Sequence, residues 1–348
     1  MENLPDLMTA AVTTGHGGPE VVEVRNDWPR PSPGPGQVLV RVTAAGVNNT
    51  DIWTREGAYG SSSDPNAVAG WRGVPIDFPR IQGGDVAGVI AEVGKGVERS
   101  LVGQRVLVDP AAEYDDLGHP SAIVGSEVDG GFADFHISSV DQIHDVSSSP
   151  LSDEQLACLP IAYATAMGMI EAAGCQQDER VLVTGASGGV GLAAVQILSA
   201  QGCHVVAYTS TSKEEAVTVA GASEVFLRDR DPLSEVREVD VVLDVVGGTR
   251  FGEVVDRLRT GGRLTIAGAI AGPLVELDLR RIYLRHRKLI GSTMHTRPTF
   301  AGVVEMARQG TVSPLVAETF SLKEIRDAHA RFGTKNFVGK LVVVPTQE

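Results

Sequence analysis

The pattern of hydrophobic and polar positions divides the chain into two parts. Up to about residue 145, short β-branched runs alternate with turns rich in proline and glycine, as in "PEVVEV", "PRPSPGPGQ" and "VLVRVTAAGV". Because proline and glycine at this density exclude regular helix, the pattern predicts a mainly β region. Two stretches without a clear period, 57–75 and 109–130, are predicted to be surface loops, either beside a site or merely solvated.

After residue 152 the period changes. Ser152 and Gln155 have the spacing of a capping box, which predicts a helix beginning near 153. Apolar strands then alternate with helical segments from "ERVLVTGASGGVG" to "LIGSTM", an order that predicts a parallel, doubly wound sheet. A helix around 297–310 and a strand in "GKLVVVP" follow. The length of 348 residues indicates two domains.

Charge and composition limit the possible partners. With 44 acidic and 30 basic residues the net charge is -14, which disfavours binding to nucleic acid. The first residues, "MENLPDLMTAAV", lack a basic region and a long apolar region, and no apolar run reaches the roughly 18 residues of a membrane span. A cytoplasmic protein with no membrane partner is therefore expected. The three scattered cysteines, Cys158, Cys175 and Cys203, agree with a reducing compartment.

The turn "TGASGGVG" lies between an apolar strand, 181–184, and a helix predicted to begin near Val190. Aligned on its last glycine, it has the spacing of a dinucleotide-binding turn, with Ala186 in place of the usual first glycine. Gly188 would let the backbone approach a pyrophosphate, and Gly191 would let the helix pack closely on the strand. The turn predicts a nucleotide site formed by Ala186, Ser187, Gly188, Gly189, Val190 and Gly191.

The end of the second strand of this region indicates the nucleotide. A site for NAD places a carboxylate there, but the chain has "VVAYTSTSKEE". The side chains of Ser210, Thr211 and Lys213 would accept a 2′-phosphate, so NADPH is the predicted cofactor. If Lys213 and Glu214 are only a solvated helix start, the preference stays open.

Two further strand ends are expected beside the cofactor. Val246 and Gly247 end "VVLDVVGG", and Gly268 and Ala269 end "LTIAGAI". The carboxyl ends of parallel strands face the ligand crevice in doubly wound sheets. The alternative is that these glycines belong to ordinary turns between strand and helix.

The segments "GGPEVVEV", "GGDVAGVIAEVG", "GQRVLV", "GGFADF" and "VLVTGASGGVG", in this order, resemble the medium-chain dehydrogenase/reductase superfamily. The stretches "GVNNTDIWTREGAYG" and "TGASGGVG" resemble its zinc-free quinone oxidoreductase branch. The resemblance implies an α/β protein with a GroES-like, β-rich catalytic domain (1–155 and 291–348) and a Rossmann domain (156–290), with the active site between them. It also implies that Thr165 lies near the nicotinamide and that the protein forms a homodimer through the sheet edge at "KLIGSTM".

Zinc enzymes of this superfamily have three catalytic ligands, and the matching positions here are Asn48, Gly84 and Ile161. An amide, a hydrogen and an alkyl group do not bind zinc well. The segment 89–135 also lacks the four cysteines of the structural zinc lobe. No metal site is therefore expected.

Asp85 replaces a glutamate of the zinc branch and is expected to accept hydrogen bonds at the Gly83-Gly84 corner or to pair with an arginine.

Without a metal, the chemistry must produce an anion that is already delocalised. The resemblance and this argument both indicate NADPH-dependent, zinc-independent hydride transfer to a quinone or an α,β-unsaturated carbonyl compound. Candidate catalytic residues are Asn48, Thr50 and Tyr59. The alternative roles are a turn-stabilising amide for Asn48, a backbone-bonded hydroxyl for Thr50 and half-buried packing for Tyr59. Two other functions stay open: a zinc-type alcohol or polyol dehydrogenase, and a catalytically silent NADPH-binding sensor or structural protein.

Overall fold

The structure, a computed structural model, describes residues 4–345 of the chain. Short strands dominate up to residue 145, and strands and helices alternate after it, as the hydrophobic pattern predicts. In chain order the strands are β1 (Leu7–Thr13), β2 (Val22–Pro29), β3 (Gln37–Val47), β4 (Arg80–Ile81), β5 (Asp85–Val93), β6 (Arg105–Val108), β7 (Ala111–Tyr114), β8 (Pro120–Ile123), β9 (Phe135–Ser139), β10 (Ile143–Asp145), β11 (Arg180–Thr184), β12 (His204–Thr209), β13 (Glu224–Leu227), β14 (Val239–Asp244), β15 (Leu258–Ile266), β16 (Lys288–Gly291), β17 (Val316–Ser321) and β18 (Lys340–Val344).

The α-helices are mostly short. They are α1 (Asn49–Glu56), α2 (Asp153–Leu156), α3 (Ala164–Ala173), α4 (Gly189–Ala200), α5 (Glu214–Val219), α6 (Phe251–Asp256), α7 (Arg280–Tyr283), α8 (Arg297–Gln309) and α9 (Ile325–Gly333). The predicted capping box is confirmed at the start of α2, because Gln155 N–H donates to Ser152 Oγ at 3.3 Å and Ser152 N–H donates to Gln155 Oε1 at 3.1 Å.

The chain forms two units. The β-rich unit contains the chain up to Ile161, Phe300–Asn336 and the segment from Lys340 onward. The parallel-sheet unit contains Ala162–Thr299 and Phe337–Gly339. The predicted division, 1–155 with 291–348 against 156–290, places both main junctions earlier in the chain and does not separate the three residues Phe337–Gly339.

In the β-rich unit the main sheet has the order β10-β6-β5-β3-β18-β17, with β9 also paired to β3. A smaller sheet has the order β2-β1-β4. Strand β3 pairs antiparallel with both β5 and β18, and its residues are mostly buried, as expected for a central strand.

The stretch 57–75 forms turns as predicted. The stretch 109–130 does not, because it contains the hairpin β7-β8, whose four-residue strands are too short to show a period.

The parallel-sheet unit has the strand order β13-β12-β11-β14-β15-β16. Every neighbouring pair in it is parallel, which is the order and direction of a Rossmann sheet. One side of the sheet packs on a core that includes Leu182, Val206, Val242, Phe251 and Leu264. The predicted strand in "LIGSTM" is confirmed as β16, at one end of the sheet.

Within residues 4–345, the helical run Asp153–Ala173 is long and apolar enough to cross a membrane by length and composition alone. The sequence pattern did not show this run, because the acidic residues Asp153, Glu154 and Glu171 limit its uncharged stretch to 155–170, which is shorter than 18 residues. Of its most apolar window, 83% is buried inside the protein, which is typical of a core helix.

Candidate active site

Two of the predicted catalytic residues lie at the junction of β3 and α1: Asn48 separates the two elements, and Thr50 is in the first turn of α1. The Asn48 N–H donates to Asp51 Oδ2 at 2.7 Å, and the Gly83 N–H donates to Asp51 Oδ1 at 3.1 Å. Burial raises the pKa of Asp51 to about 7, although both of these N–H groups favour its charged form. Asp51 therefore holds this junction against the Gly83-Gly84 corner.

A buried group of three polar side chains lies next to this junction. It consists of Asn48, Asp85 and Lys340 and is called the Lys340 cluster here. Asp85 is 0% exposed and Lys340 is 4% exposed. The Lys340 ammonium lies 2.8 Å from Asp85 Oδ2, and it also donates to Asn48 Oδ1 and to the Val47 carbonyl. Asp85 is thus paired with a lysine, not with the arginine considered from the sequence.

All polar atoms of the Lys340 cluster have partners within it or on nearby backbone. Asn48 Nδ2 donates to Asp85 Oδ2 at 2.8 Å and weakly to the Gly46 carbonyl at 3.4 Å, and the Ile161 N–H donates to Asp85 Oδ1 at 2.6 Å. An ammonium has three N–H groups, and Lys340 has three acceptors. The cluster is therefore saturated, and both ends of the Asn48 amide point into it.

The fold family implies a zinc ion at this place, and the residues present do not fit one. A Cβ atom on Gly84 would lie 2.6 Å from Ile161 Cδ1 and 3.0 Å from the Val124 carbonyl oxygen, so a histidine cannot replace Gly84 without movement of its neighbours. Asn48 already binds the ammonium, and Ile161 has no donor atom. Among residues 4–345, no three His, Cys, Asp or Glu side chains come together in a way that could hold a metal ion.

Thr50 and Tyr59, the other two predicted catalytic residues, lie together. The Tyr59 hydroxyl donates to Thr50 Oγ1 at 3.2 Å, and the Tyr59 ring meets the Trp53 ring edge to face at 5.4 Å. Burial raises the pKa of Tyr59 to about 12, so the phenol keeps its proton at any physiological pH. The hydroxyls of Thr50 and Tyr59 are called the donor pair here. Thr50 is only two residues from Asn48 in the sequence, but the donor pair bonds to itself and not to the Lys340 cluster.

In the parallel-sheet unit, the predicted nucleotide turn joins β11 to α4. Gly188 is the residue before the helix, with an extended backbone, and it accepts the Leu192 N–H at 2.8 Å. A Cβ atom on Gly191 would lie 2.2 Å from the Gly185 carbonyl oxygen, so only glycine permits this close approach. Nothing but that same oxygen lies within 4 Å of a Cβ built on Gly188, at 3.5 Å. The turn has the close helix packing at Gly191 and the open backbone at Gly188 that a pyrophosphate site requires, and its binding role stays a prediction.

Gly185 is a turn residue that the sequence alignment did not single out. Its φ of 58° lies in the left-handed region, where glycine is favoured, so Gly185 makes the sharp turn that the motif assigns to the position of Ala186. A glycine immediately after the strand was the available signal. Ala186 is instead fully buried, and Ser187 accepts the Gly339 N–H at 3.0 Å.

The predicted ribose-binding residues follow β12. Ser210 precedes a single helical turn, Thr211–Lys213, whose last N–H bonds back to the Ser210 carbonyl at 2.9 Å. Two charged residues near them were not expected. Asp229 accepts both the N–H and the hydroxyl of Thr211, and Arg250 donates to the Tyr208 hydroxyl at 2.7 Å. Both lie far along the chain from β12, so no local motif indicates them.

The predicted residues at the ends of β14 and β15 are held together by backbone bonds. Asp244, the last residue of β14, accepts the Gly247 N–H at 2.9 Å and the Thr184 hydroxyl at 2.5 Å. The Val246 carbonyl accepts the Ala271 N–H at 2.8 Å. Gly268 and Ala269 lie between the end of β15 and Ala271. Val246, Gly247, Gly268 and Ala269 thus cluster at one edge of the sheet. Thr165 lies in the first turn of α3 and is buried.

A Rossmann sheet with such a glycine turn, together with a β-rich unit, is typical of oxidoreductases that bind a dinucleotide. Residues 34–148 match the family model of the alcohol dehydrogenase GroES-like domain, and residues 189–309 match that of the zinc-binding dehydrogenases. The chain belongs to the medium-chain dehydrogenase/reductase superfamily.

Relatives of known name match almost the whole chain. The quinone oxidoreductase of Mus musculus is 32% identical over 93% of both chains. The acryloyl-coenzyme A reductase of Sulfurisphaera tokodaii is 28% identical over 94% of this chain and 98% of its own. A crystal structure of a candidate alcohol dehydrogenase from Sinorhizobium meliloti is 43% identical, covers 99% of both chains and superposes with a TM-score of 0.95.

Removal of one charge from the Lys340 cluster should destabilise the β-rich unit strongly. K340M leaves the Asp85 carboxylate buried without its cation, so we expect a loss of about 3–5 kcal/mol in the free energy of unfolding. The double variant D85N/K340M should lose less than the sum of the two single variants. Denaturant unfolding of the four proteins measures the coupling energy.

The exposed pair Arg25–Asp27 in the same unit is the matched control. The R25M variant should lose far less stability than K340M, because exposed ion pairs contribute little. Equal losses for K340M and R25M would contradict a special role for the buried pair.

Proposed function

We propose that this protein is an NADPH-dependent, zinc-independent oxidoreductase that transfers hydride to a quinone or an α,β-unsaturated carbonyl compound. The observation that carries the proposal is the Lys340 cluster. The three positions at which zinc enzymes of this superfamily bind their metal are Asn48, Gly84 and Ile161, and an internal ammonium neutralises the carboxylate beside them.

The kind of hydride acceptor is inferred from how strongly the site can stabilise the negative charge that develops on the substrate oxygen. The Lys340 ammonium has no N–H group left for a substrate oxygen, because its three acceptors are all protein atoms. A simple ketone or aldehyde gives a localised alkoxide, which needs strong stabilisation. A quinone or an enone gives a delocalised anion, for which a few neutral hydrogen bonds suffice.

The relatives support the same class of acceptor. One is named for a quinone and another for acryloyl-coenzyme A, an α,β-unsaturated thioester. Both kinds of compound accept hydride at a position conjugated with a carbonyl group, so a single type of site serves either. We propose this shared chemistry for the present chain, with the choice between the two left to the shape of the pocket.

The donor pair of Thr50 and Tyr59 is the proposed source of hydrogen bonds to the substrate oxygen. The Tyr59 hydroxyl donates to Thr50 Oγ1, so in this arrangement the Thr50 hydroxyl supplies the hydrogen bond to the substrate oxygen and Tyr59 orients it. The raised pKa of Tyr59 keeps its proton in place for this contact. Asn48 remains a predicted catalytic residue. Its amide contacts argue for the alternative, in which Asn48 holds the loop that presents Thr50.

When bound, the reduced nicotinamide would supply the hydride. The glycine turn, from Gly185 to Gly191, would hold the pyrophosphate through backbone N–H groups, and Ser210, Thr211 and Lys213 would contact the 2′-phosphate. The turns after β14 and β15, with Gly247 and Gly268, would flank the cofactor, and Thr165 would lie near its reactive end.

A screen of NADPH oxidation over quinones, enones, enoyl thioesters, aldehydes and ketones tests the proposal. We expect turnover with conjugated acceptors and NADPH, none with simple aldehydes or ketones, and no loss of activity after treatment with a chelator. NADH is measured alongside. Stoichiometric zinc with chelator-sensitive alcohol oxidation would favour a zinc alcohol dehydrogenase, and tight NADPH binding without turnover would favour a silent binding protein.

The variant Y59F tests the donor pair. The ring contact with Trp53 is retained and only the hydroxyl is lost, so we expect kcat to fall by roughly 100-fold or more, with little change in the KM for NADPH. Steady-state kinetics with the best acceptor from the screen measures both. Y114F is the control, because the Tyr114 hydroxyl in β7 bonds to Asp109 at 2.7 Å and has no proposed role. Unchanged kcat in Y59F would rule out the proposed donor.

We also propose that two chains associate through the β16 edge. This strand ends the six-stranded sheet, and the preceding segment exposes large apolar side chains: Leu274, Leu279, Tyr283 and Leu284 are 61–75% exposed. Such a patch beside an open strand edge is typical of an interface. We expect L279E/L284E to sediment as a single chain and the unsubstituted protein as a dimer. L117E, on a side chain 79% exposed in the β-rich unit, should remain a dimer.

A further inference from the structure

A carboxylate lies where the sequence shows only hydroxyl groups. Both oxygens of Asp229 accept hydrogen bonds from Thr211, one from its N–H at 2.9 Å and one from its hydroxyl at 2.7 Å. Thr211 is one of the residues proposed to contact the 2′-phosphate of NADPH. Asp229 comes from the turn after β13, which is why the end of β12 contains no acid in the sequence.

The sheet explains why these two turns meet. Strands β12 and β13 are parallel neighbours, with Thr209 paired to Leu227, the last residues of the two strands. The Arg228 N–H then donates to the Thr209 carbonyl at 2.6 Å, which extends the pairing by one step. Because the chain leaves both strands at the same edge, the residues that follow β13 lie beside Ser210 and Thr211.

In a doubly wound sheet, the adenosine ribose lies at the end of the second strand, and a carboxylate there accepts its hydroxyl groups. The same carboxylate repels a 2′-phosphate. Here Asp229 also occupies two of the donors, the Thr211 N–H and hydroxyl, that a phosphate would otherwise use. The remaining candidates, Ser210, Ser212 and Lys213, must attract the phosphate against a neighbouring negative charge.

We propose that Asp229 determines how strongly the protein discriminates between NADPH and NADH, by opposing the 2′-phosphate from the neighbouring strand. The proposal rests on the dinucleotide cofactor proposed above, but not on the hydride acceptor. Asp229 is thus a specificity-determining residue that lowers the selectivity given by the remaining candidates, Ser210, Ser212 and Lys213.

Equilibrium binding of NADPH, NADH and 2′,5′-ADP to D229N tests this inference, by nucleotide fluorescence for the first two and calorimetry for the third. Asparagine keeps an oxygen for the Thr211 N–H and removes the charge. We expect the Kd of NADPH and of 2′,5′-ADP to fall by about tenfold, and that of NADH to change by less than about threefold. The difference should shrink at high salt, because this turn is exposed.

D231N is the matched control, because it removes the same charge from the same turn while its carboxylate bonds to the Leu227 N–H at 2.8 Å instead. D229S provides a second variant with a smaller side chain, and thermal unfolding of each variant reports whether the turn is intact. If the variants bind nucleotide but D229N and D231N have equal effects, or if D229N leaves the ratio of the Kd values of NADPH and NADH unchanged, the role of Asp229 is overturned. The proposed cofactor would not be affected by that result. Absence of binding by both nucleotides would overturn the proposed cofactor as well.

Discussion

The ion pair between Lys340 and Asp85 fixes the centre of the β-rich unit. Asp85 begins β5, Asn48 follows β3 and Lys340 begins β18, and these three strands are neighbours in one sheet. A buried carboxylate requires a cation, and a buried ammonium requires acceptors. A shift of β18 by one residue would turn Lys340 to the other face of the sheet and leave Asp85 unpaired. The pair therefore specifies the register of the last strand of the chain.

The position of the donor pair depends on this constraint. Asn48 joins the Lys340 cluster through its side chain and the Asp51 carboxylate through its N–H. Asp51 in turn binds the Gly83 N–H, so the loop before α1 is tied both to the cluster and to the glycine corner. Thr50 lies in the first turn of α1, directly after this loop, and Tyr59 bonds to it. The hydroxyl groups that we propose to contact the substrate are thus held in place through Asn48 and Asp51.

How much of this could be predicted depends on the distance along the chain over which each signal acts. The Rossmann sheet, the capping box at Ser152 and the glycine turn follow from local periods and spacings. The change of residue type at the three zinc-ligand positions, Asn48, Gly84 and Ile161, is also visible in the sequence once they are compared with a known pattern. The partner of Asp85 is not visible, because Lys340 is 255 residues away in the chain. Asp229 was missed for the same reason, since it reaches Thr211 only through the pairing of β12 with β13.

A metal ion and an ammonium are not equivalent cations in such a site. A catalytic zinc ion leaves one coordination position open, so its charge acts directly on a substrate oxygen. All three N–H groups of the Lys340 ammonium bond to protein atoms, so the ammonium interacts with Asp85, Asn48 and the Val47 carbonyl and not with a substrate oxygen. Any help to a substrate oxygen must then come from neutral groups, for which we propose the hydrogen-bonded hydroxyls of Thr50 and Tyr59. Weak electrophilic help limits the proposed reaction to acceptors that delocalise the charge themselves, and this limit follows from the saturation of a single buried lysine.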